Sequence, residues 1–176
     1  MEGLEGDTIG GFNSMLRRQR DSGGRITVST VLFNDRMKVV HDRTDIAQVP
    51  EMTREDYEAS GSTALLDAVG HTIDHLDAVH EGLGSDRPDS VIVVIMTDGQ
   101  ENSSRLYRVA AVKRMIEAHR RDGWEFIFVG ANIDVVEEAS RIGIDGNDTI
   151  EFNCDSDGVD ACFYMMDEAV FRKRGR

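Results

Sequence analysis

Strands that alternate with amphipathic helices predict an α/β fold built on an open, mostly parallel sheet. Three observations carry that prediction. Val91–Met96 is apolar on both faces, and Glu125–Val129 is of the same type, which marks strands covered by helices on each side. Stretches with apolar residues three and four apart lie before, between and after them. The order read along the chain is helix, β-hairpin, two helices, then strand and helix three times.

Each element has its own signal. Ile9, Phe12, Met15 and Leu16 set a first helix over residues 8–20, with Asp7 or Thr8 available as N-cap and Asp21-Ser-Gly-Gly as its stop. Arg25–Phe33 alternates and is rich in β-branched residues, so it reads as a strand. Asn34-Asp35 turns it into a short strand, Met37–His41, whose Lys38 and His41 suit a solvated antiparallel edge. Thr53 and Asp56 make a capping box, stapled by Met52 and Tyr57, that predicts a second helix. Gly61-Ser62-Thr63 opens a longer helix with Leu66, Val69, Ile73 and Leu76 on one face. Leu106, Val109, Val112 and Ile116 define the next, and His119-Arg120-Arg121 complements its C-terminal dipole. Asp134 with Glu137 caps a short helix that Gly143 ends. Thr149–Phe152 is the last strand, and Val159, Phe163, Met166 and Val170 mark the last helix.

Composition narrows the function classes. The 176 residues form one domain by length, long enough to bury a core without metals or disulfides. With 20 Lys+Arg against 33 Asp+Glu the net charge is −13, so phosphate backbones are repelled and no nucleic-acid partner is expected. The longest strongly apolar run is Val91–Met96, so no membrane span is expected, and the first residues lack a secretory pattern. Cys154 and Cys162 do not make a disulfide framework and suit a reducing, cytoplasmic setting.

In open α/β sheets a site lies beyond the carboxyl ends of the strands. Val91–Met96 ends there in Thr97-Asp98-Gly99-Gln100-Glu101-Asn102-Ser103-Ser104, and the Gly61-Ser62-Thr63 loop approaches from one side. These loops offer hydroxyl and carboxylate oxygens without Cys or His, a set that favours Mg²⁺, Mn²⁺ or Ca²⁺ over zinc. Residue chemistry alone leaves a second reading equally open: Asp98 starts a turn, and the Ser and Thr residues cap helices.

Thr97-Asp98-Gly99 after an apolar strand, with Gly61-Ser62-Thr63-Ala-Leu-Leu-Asp67-Ala upstream, resembles the von Willebrand factor type A (vWA) family. Met1-Glu-Gly-Leu-Glu, the strand near Val28–Phe33 and the block from Gly123 to Asp134 add to the likeness, the last resembling bacterial and phage-borne members. The resemblance implies a doubly wound, Rossmann-like fold with helices on both faces. It also implies a metal-ion-dependent adhesion site (MIDAS), whose ion is completed by a carboxylate of a protein partner. The family's ligands come from an Asp-x-Ser-x-Ser loop, a Thr of a second loop and an Asp of a third. Here the second and third match at Thr63 and Asp98.

The family's first motif commonly runs into the Met with which this chain opens. The expectation is therefore an absent first strand and absent first-loop ligands, through a start codon assigned too late or a truncated relative. Glu2 and Glu5 lie near that place, but no family pattern makes them ligands. Any Mg²⁺ should then bind weakly. Val91–Met96 is expected in the sheet interior. An unfilled place beside it exposes two central strand edges, which points to a homodimer or larger assembly.

Other patterns read as structural. His71 and His75, four residues apart, lack the Glu of a zinc metalloprotease motif and read as solvated. Asn153-Cys-Asp155-Ser-Asp157-Gly158 mimics the start of a calcium loop, but Tyr164 stands where a bidentate Glu is needed. Phe171-Arg-Lys-Arg-Gly-Arg176 reads as a solvated basic helix end. No phosphate loop or nucleophile elbow occurs. The function expected is a non-enzymatic binding module. The alternative is a phosphohydrolase with Asp98 and Glu101 on Mg²⁺ and Asn132 or Asp134 as second-strand candidates.

Overall fold

A computed structural model of the chain describes residues 3–175; Glu2 and the ends of the chain lie outside them. Among the described residues ten α-helices and strands follow one another, besides two single 3-10 turns. They are α1 (Glu5–Asp21), β1 (Thr27–Phe33), β2 (Met37–Asp45), α2 (Leu65–Leu83), β3 (Ile92–Thr97), α3 (Val109–Arg121), β4 (Glu125–Gly130), α4 (Val135–Arg141), β5 (Thr149–Glu151) and α5 (Ser156–Arg174). β3, β4 and β5 form a parallel sheet in that order, and β1 pairs antiparallel with β2 in a separate ribbon. The α/β class stands, with helices on both faces of the parallel sheet. No helix among the described residues is long and apolar enough to cross a membrane.

β4 shows why both faces are covered. Phe126 and Phe128 face a core made with α2, α3 and α4, including Leu66, Ile73, Val112 and Ile116. Ile127 and Val129, one residue out of phase, face a second core with Val159, Phe163 and Met166 of α5 and Phe12 and Met15 of α1. All four β4 side chains are buried. Ile73 of α2 and Ile116 of α3 have no exposed surface, which places the stripes of those helices toward the sheet.

Several expectations need correction. β3 is not interior: it pairs with β4 alone and is an edge of its sheet, and most of its residues are half-buried. No described strand covers its other side. The capping box forms, with Thr53 N–H and Oγ1 both donating to Asp56 Oδ2 (2.9 and 2.8 Å), but it closes a single turn and no helix follows. Helix nucleation is costly, and no apolar stripe continues the pattern to repay it. α1 starts at Glu5, ahead of Asp7 and Thr8, because Leu4 joins the α5-side core. Leu106 precedes α3 and is 70% exposed. His41 is buried rather than solvated, facing Thr30 Oγ1 at 3.0 Å, although β2 is the antiparallel outer strand expected.

The remaining patterns are structural, with more partners than the sequence suggests. Asp155 caps α5 by accepting from Gly158 N–H (2.7 Å), and Asp134 caps α4 by accepting from Glu137 N–H (2.9 Å). His75 Nε2 meets Asp42 Oδ1 at 3.0 Å, and His71 lies edge-on to Tyr107. The basic end of α5 is engaged: Lys173 bonds Glu125 and Asp148, and Arg174 bonds Gln19, Ser22 and the Gly23 carbonyl of the α1 end. Cys154 and Cys162 are free, and burial pushes the Cys162 thiol up to about 12.

Candidate metal centre

Two loops meet at the carboxyl end of β3. Thr63 N–H donates to Asn102 Oδ1 (2.8 Å), while Asn102 N–H and Ser103 N–H both donate to the Thr63 carbonyl (3.0 and 3.3 Å). The Thr63 hydroxyl then lies over Gly99: a Cβ built on Gly99 would sit 3.3 Å from Thr63 Oγ1. Asp98 is the residue before that glycine, so the structure brings the loops of both expected ligands to one place. Gly99 is held in its turn by Thr97, whose Oγ1 donates to the Gly99 carbonyl at 2.9 Å.

Two carboxylates build this face from within. Glu101 Oε1 accepts from Ser103 and Ser104 N–H (3.0 and 2.8 Å), and Oε2 accepts from Ser104 Oγ and Leu66 N–H (2.7 and 2.9 Å). Asp67 accepts from three successive backbone N–H groups, those of Arg105, Leu106 and Tyr107, at 2.8–2.9 Å. Burial opposes its charge, but those three donors outweigh it and hold the Asp67 carboxyl below its usual range. The N-terminus of α2 has no side-chain cap of its own, so Glu101 serves Leu66 N–H in that role from 35 residues away. Sequence reading missed both clamps. The available signal was a pair of acids flanking the motif, Asp67 and Glu101, with Ser103-Ser104 close behind.

The donor set fits a hard divalent cation in part. Thr63 and Asp98 supply oxygen, and on the same loop Ser103 Oγ is buried without a hydrogen-bond partner among the described residues. No group of three or more His, Cys, Asp or Glu side chains that could hold a metal occurs among the described residues. Glu5 lies in the first turn of α1 and accepts from Gly3 N–H at 3.2 Å. Asn132, in the left-handed region at φ 58°, follows β4, and Asp134 is committed to the α4 cap.

Comparison with protein-family models gives no match, and comparison with curated proteins gives none either. Solved structures do match. Three structures of proximal thread matrix protein 1 from the mussel byssus superpose with TM-scores of 0.58, 0.60 and 0.63 at 14%, 15% and 16% identity. They cover 92–93% of this chain, which spans only 40–43% of the mussel chain. The third carries a zinc-occupied MIDAS motif. At this identity the likeness shows the fold, which is vWA/Rossmann-like. All three come from a mussel, and none bears out the expected likeness to bacterial or phage-borne members.

Proposed function

We propose that the chain is a non-enzymatic, vWA-type protein-binding module whose Thr63 and Asp98 hold a divalent cation, Mg²⁺ in the cell, with open positions for a partner's carboxylate. One observation carries the reading: the Thr63 loop is bonded to the loop that follows Asp98, with the Thr63 hydroxyl packed over Gly99. The mussel structure with zinc in its MIDAS motif supports the same chemistry on a similar fold. A cation with free coordination positions attracts an anionic oxygen even on a chain of net charge −13. Two side-chain ligands leave the remaining positions to water, so affinity is low. The free thiols of Cys154 and Cys162 suit the cytoplasmic setting that belongs to this proposal.

Calorimetry with Mg²⁺ tests the assignment. The reading predicts binding weaker than micromolar that disappears in Asp98→Ala. Micromolar or tighter binding that survives Asp98→Ala contradicts it. The phosphohydrolase reading loses its second metal ligand, because both Glu101 oxygens already accept two hydrogen bonds each. Turnover of a generic phosphoester with Mg²⁺ or Mn²⁺, lost in Asp98→Ala, would restore it.

A further inference from the structure

Two histidines of α2 meet the β-ribbon across a cavity of about 350 Å³. His71 and His75 line it from the helix, Asp42 lines it from β2, and Val31, Val39 and Leu76 give it apolar walls. One helical turn separates the two histidines, which sets their Cβ atoms about 5–6 Å apart on one face. Side chains of a helix lean toward its N-terminus, so His75 reaches back over the turn that carries His71.

Hydrogen bonds decide what each ring can offer. His75 Nε2 lies 3.0 Å from Asp42 Oδ1, and the same oxygen accepts from Arg43 Nε (3.3 Å). A carboxylate has no hydrogen to give, so Nε2 carries the proton and Nδ1 of the neutral ring keeps its lone pair. His71 lies edge-on to Tyr107, and among the described residues neither of its ring nitrogens has a hydrogen-bond partner. The neighbouring acids of α2 are committed elsewhere, Asp67 to three backbone N–H groups and Asp74 to the Tyr107 hydroxyl. Two imidazole lone pairs on one helix face, one ring oriented by a carboxylate, are the parts of a histidine metal site. Zn–N bonds of about 2.0–2.1 Å put two ligand nitrogens about 3 Å apart, within reach of rings so spaced. Imidazole suits Zn²⁺, Cu²⁺ and Ni²⁺, whereas the oxygen donors of the Thr63 and Asp98 loops suit harder ions.

We propose that His71 and His75 form a second metal site, a two-imidazole chelate for a borderline divalent transition ion of the Zn²⁺ class. His75 binds through Nδ1, Asp42 is its positioning residue, and water fills the remaining positions. All three residues belong to α2 and β2. Along α2, His75 lies about 15 Å from Leu65 at the end next to Thr63, so this site and the Thr63–Asp98 site can fail separately.

Zn²⁺ titration of the full chain, read by the ring nitrogen resonances of its five histidines, tests the site. His71 and His75 should respond together with one midpoint, while His41, His80 and His119 stay unchanged. His75 Nδ1 should take the shift of a coordinated nitrogen while Nε2 keeps its hydrogen. His71→Ala should weaken the His75 response about 10-fold or more, because the second ligand is no longer held beside the first. Asp42→Ala should weaken it about 10-fold through lost orientation, and Asp98→Ala should leave it unchanged. Separate midpoints for His71 and His75, or a His75 response at full strength in His71→Ala, overturn the proposal. A response shared by all five histidines, or one lost in Asp98→Ala, overturns it as well. Coordination through Nε2, or full affinity in Asp42→Ala, removes Asp42 from its role and overturns the oriented site.

Discussion

Glu101 is the residue on which the site's shape depends most. Its carboxylate joins the N-terminus of α2 to the loop after β3 through four donors, three of them backbone N–H groups. Removing it leaves partly buried donors without an acceptor, at about 1–3 kcal/mol for the set once water re-enters. Glu101→Ala is expected to lower the unfolding free energy measured in urea by that amount, and Glu101→Gln by less, because one amide oxygen still accepts. Equal stability of Glu101→Ala and the parent would remove the clamp from the account. Gly70 sits under the Tyr107 ring, and a Cβ there would fall 2.3 Å from the ring carbon Cδ1. Alanine gains about 1 kcal/mol of helix propensity over glycine, but the overlap with a packed ring costs about 1–3 kcal/mol. Gly70→Ala should therefore destabilise, and thermal melting that rises instead would show that Tyr107 moves aside freely. Thr63 and Asp98 were legible because they belong to short local motifs. Glu101 and Asp67 act across 35–40 residues, where neither periodicity nor a capping rule reaches.

At the scale of elements, α2 and α3 are latched by His119. Its Nδ1 faces the Met115 carbonyl at 2.7 Å and its Nε2 faces Asp77 Oδ1 at 2.8 Å, so both ring nitrogens meet acceptors. Only the imidazolium satisfies both. Burial pulls the His119 pKa down, but the Asp77 carboxylate, the Met115 carbonyl and the nearby Asp122 outweigh it and raise it above the usual histidine value. The folded value thus lies above the unfolded one. The latch stabilises fully below about pH 6.5 and fades as pH rises through the raised folded value. Asp77→Asn should cost about 1 kcal/mol more at about pH 6 than at about pH 8. His80, which packs against Trp124, shifts the other way through burial and also feels Asp77, so Asp77→Asn is compared with its parent in a His80→Gln background. A loss independent of pH would mean that His119 is neutral in the folded chain. Sequence order located α2 and α3 through their stripes, and the basic end of α3 is where the dipole argument put it. The start of α3 was not legible from Leu106, because Asp67 holds the approach to the helix in another conformation.

At the scale of the whole molecule, the parallel sheet follows from the apolar runs, and β4 repeats its sequence pattern in two buried cores. The apolar run of β3 predicts an interior strand, yet β3 is an edge, because such a run reports helices above and below but says nothing of a neighbour along the edge. What the fold does fix is where its strands end, and the Thr63 and Asp98 loops converge at that end. Mn²⁺, a paramagnetic stand-in for Mg²⁺, measures this most directly. In NMR spectra of the chain at millimolar protein and sub-stoichiometric Mn²⁺, the account predicts broadening centred on residues 61–64 and 97–104 that vanishes in Asp98→Ala. Broadening spread over the acidic surface, or centred on the two loops but unchanged in Asp98→Ala, would contradict it.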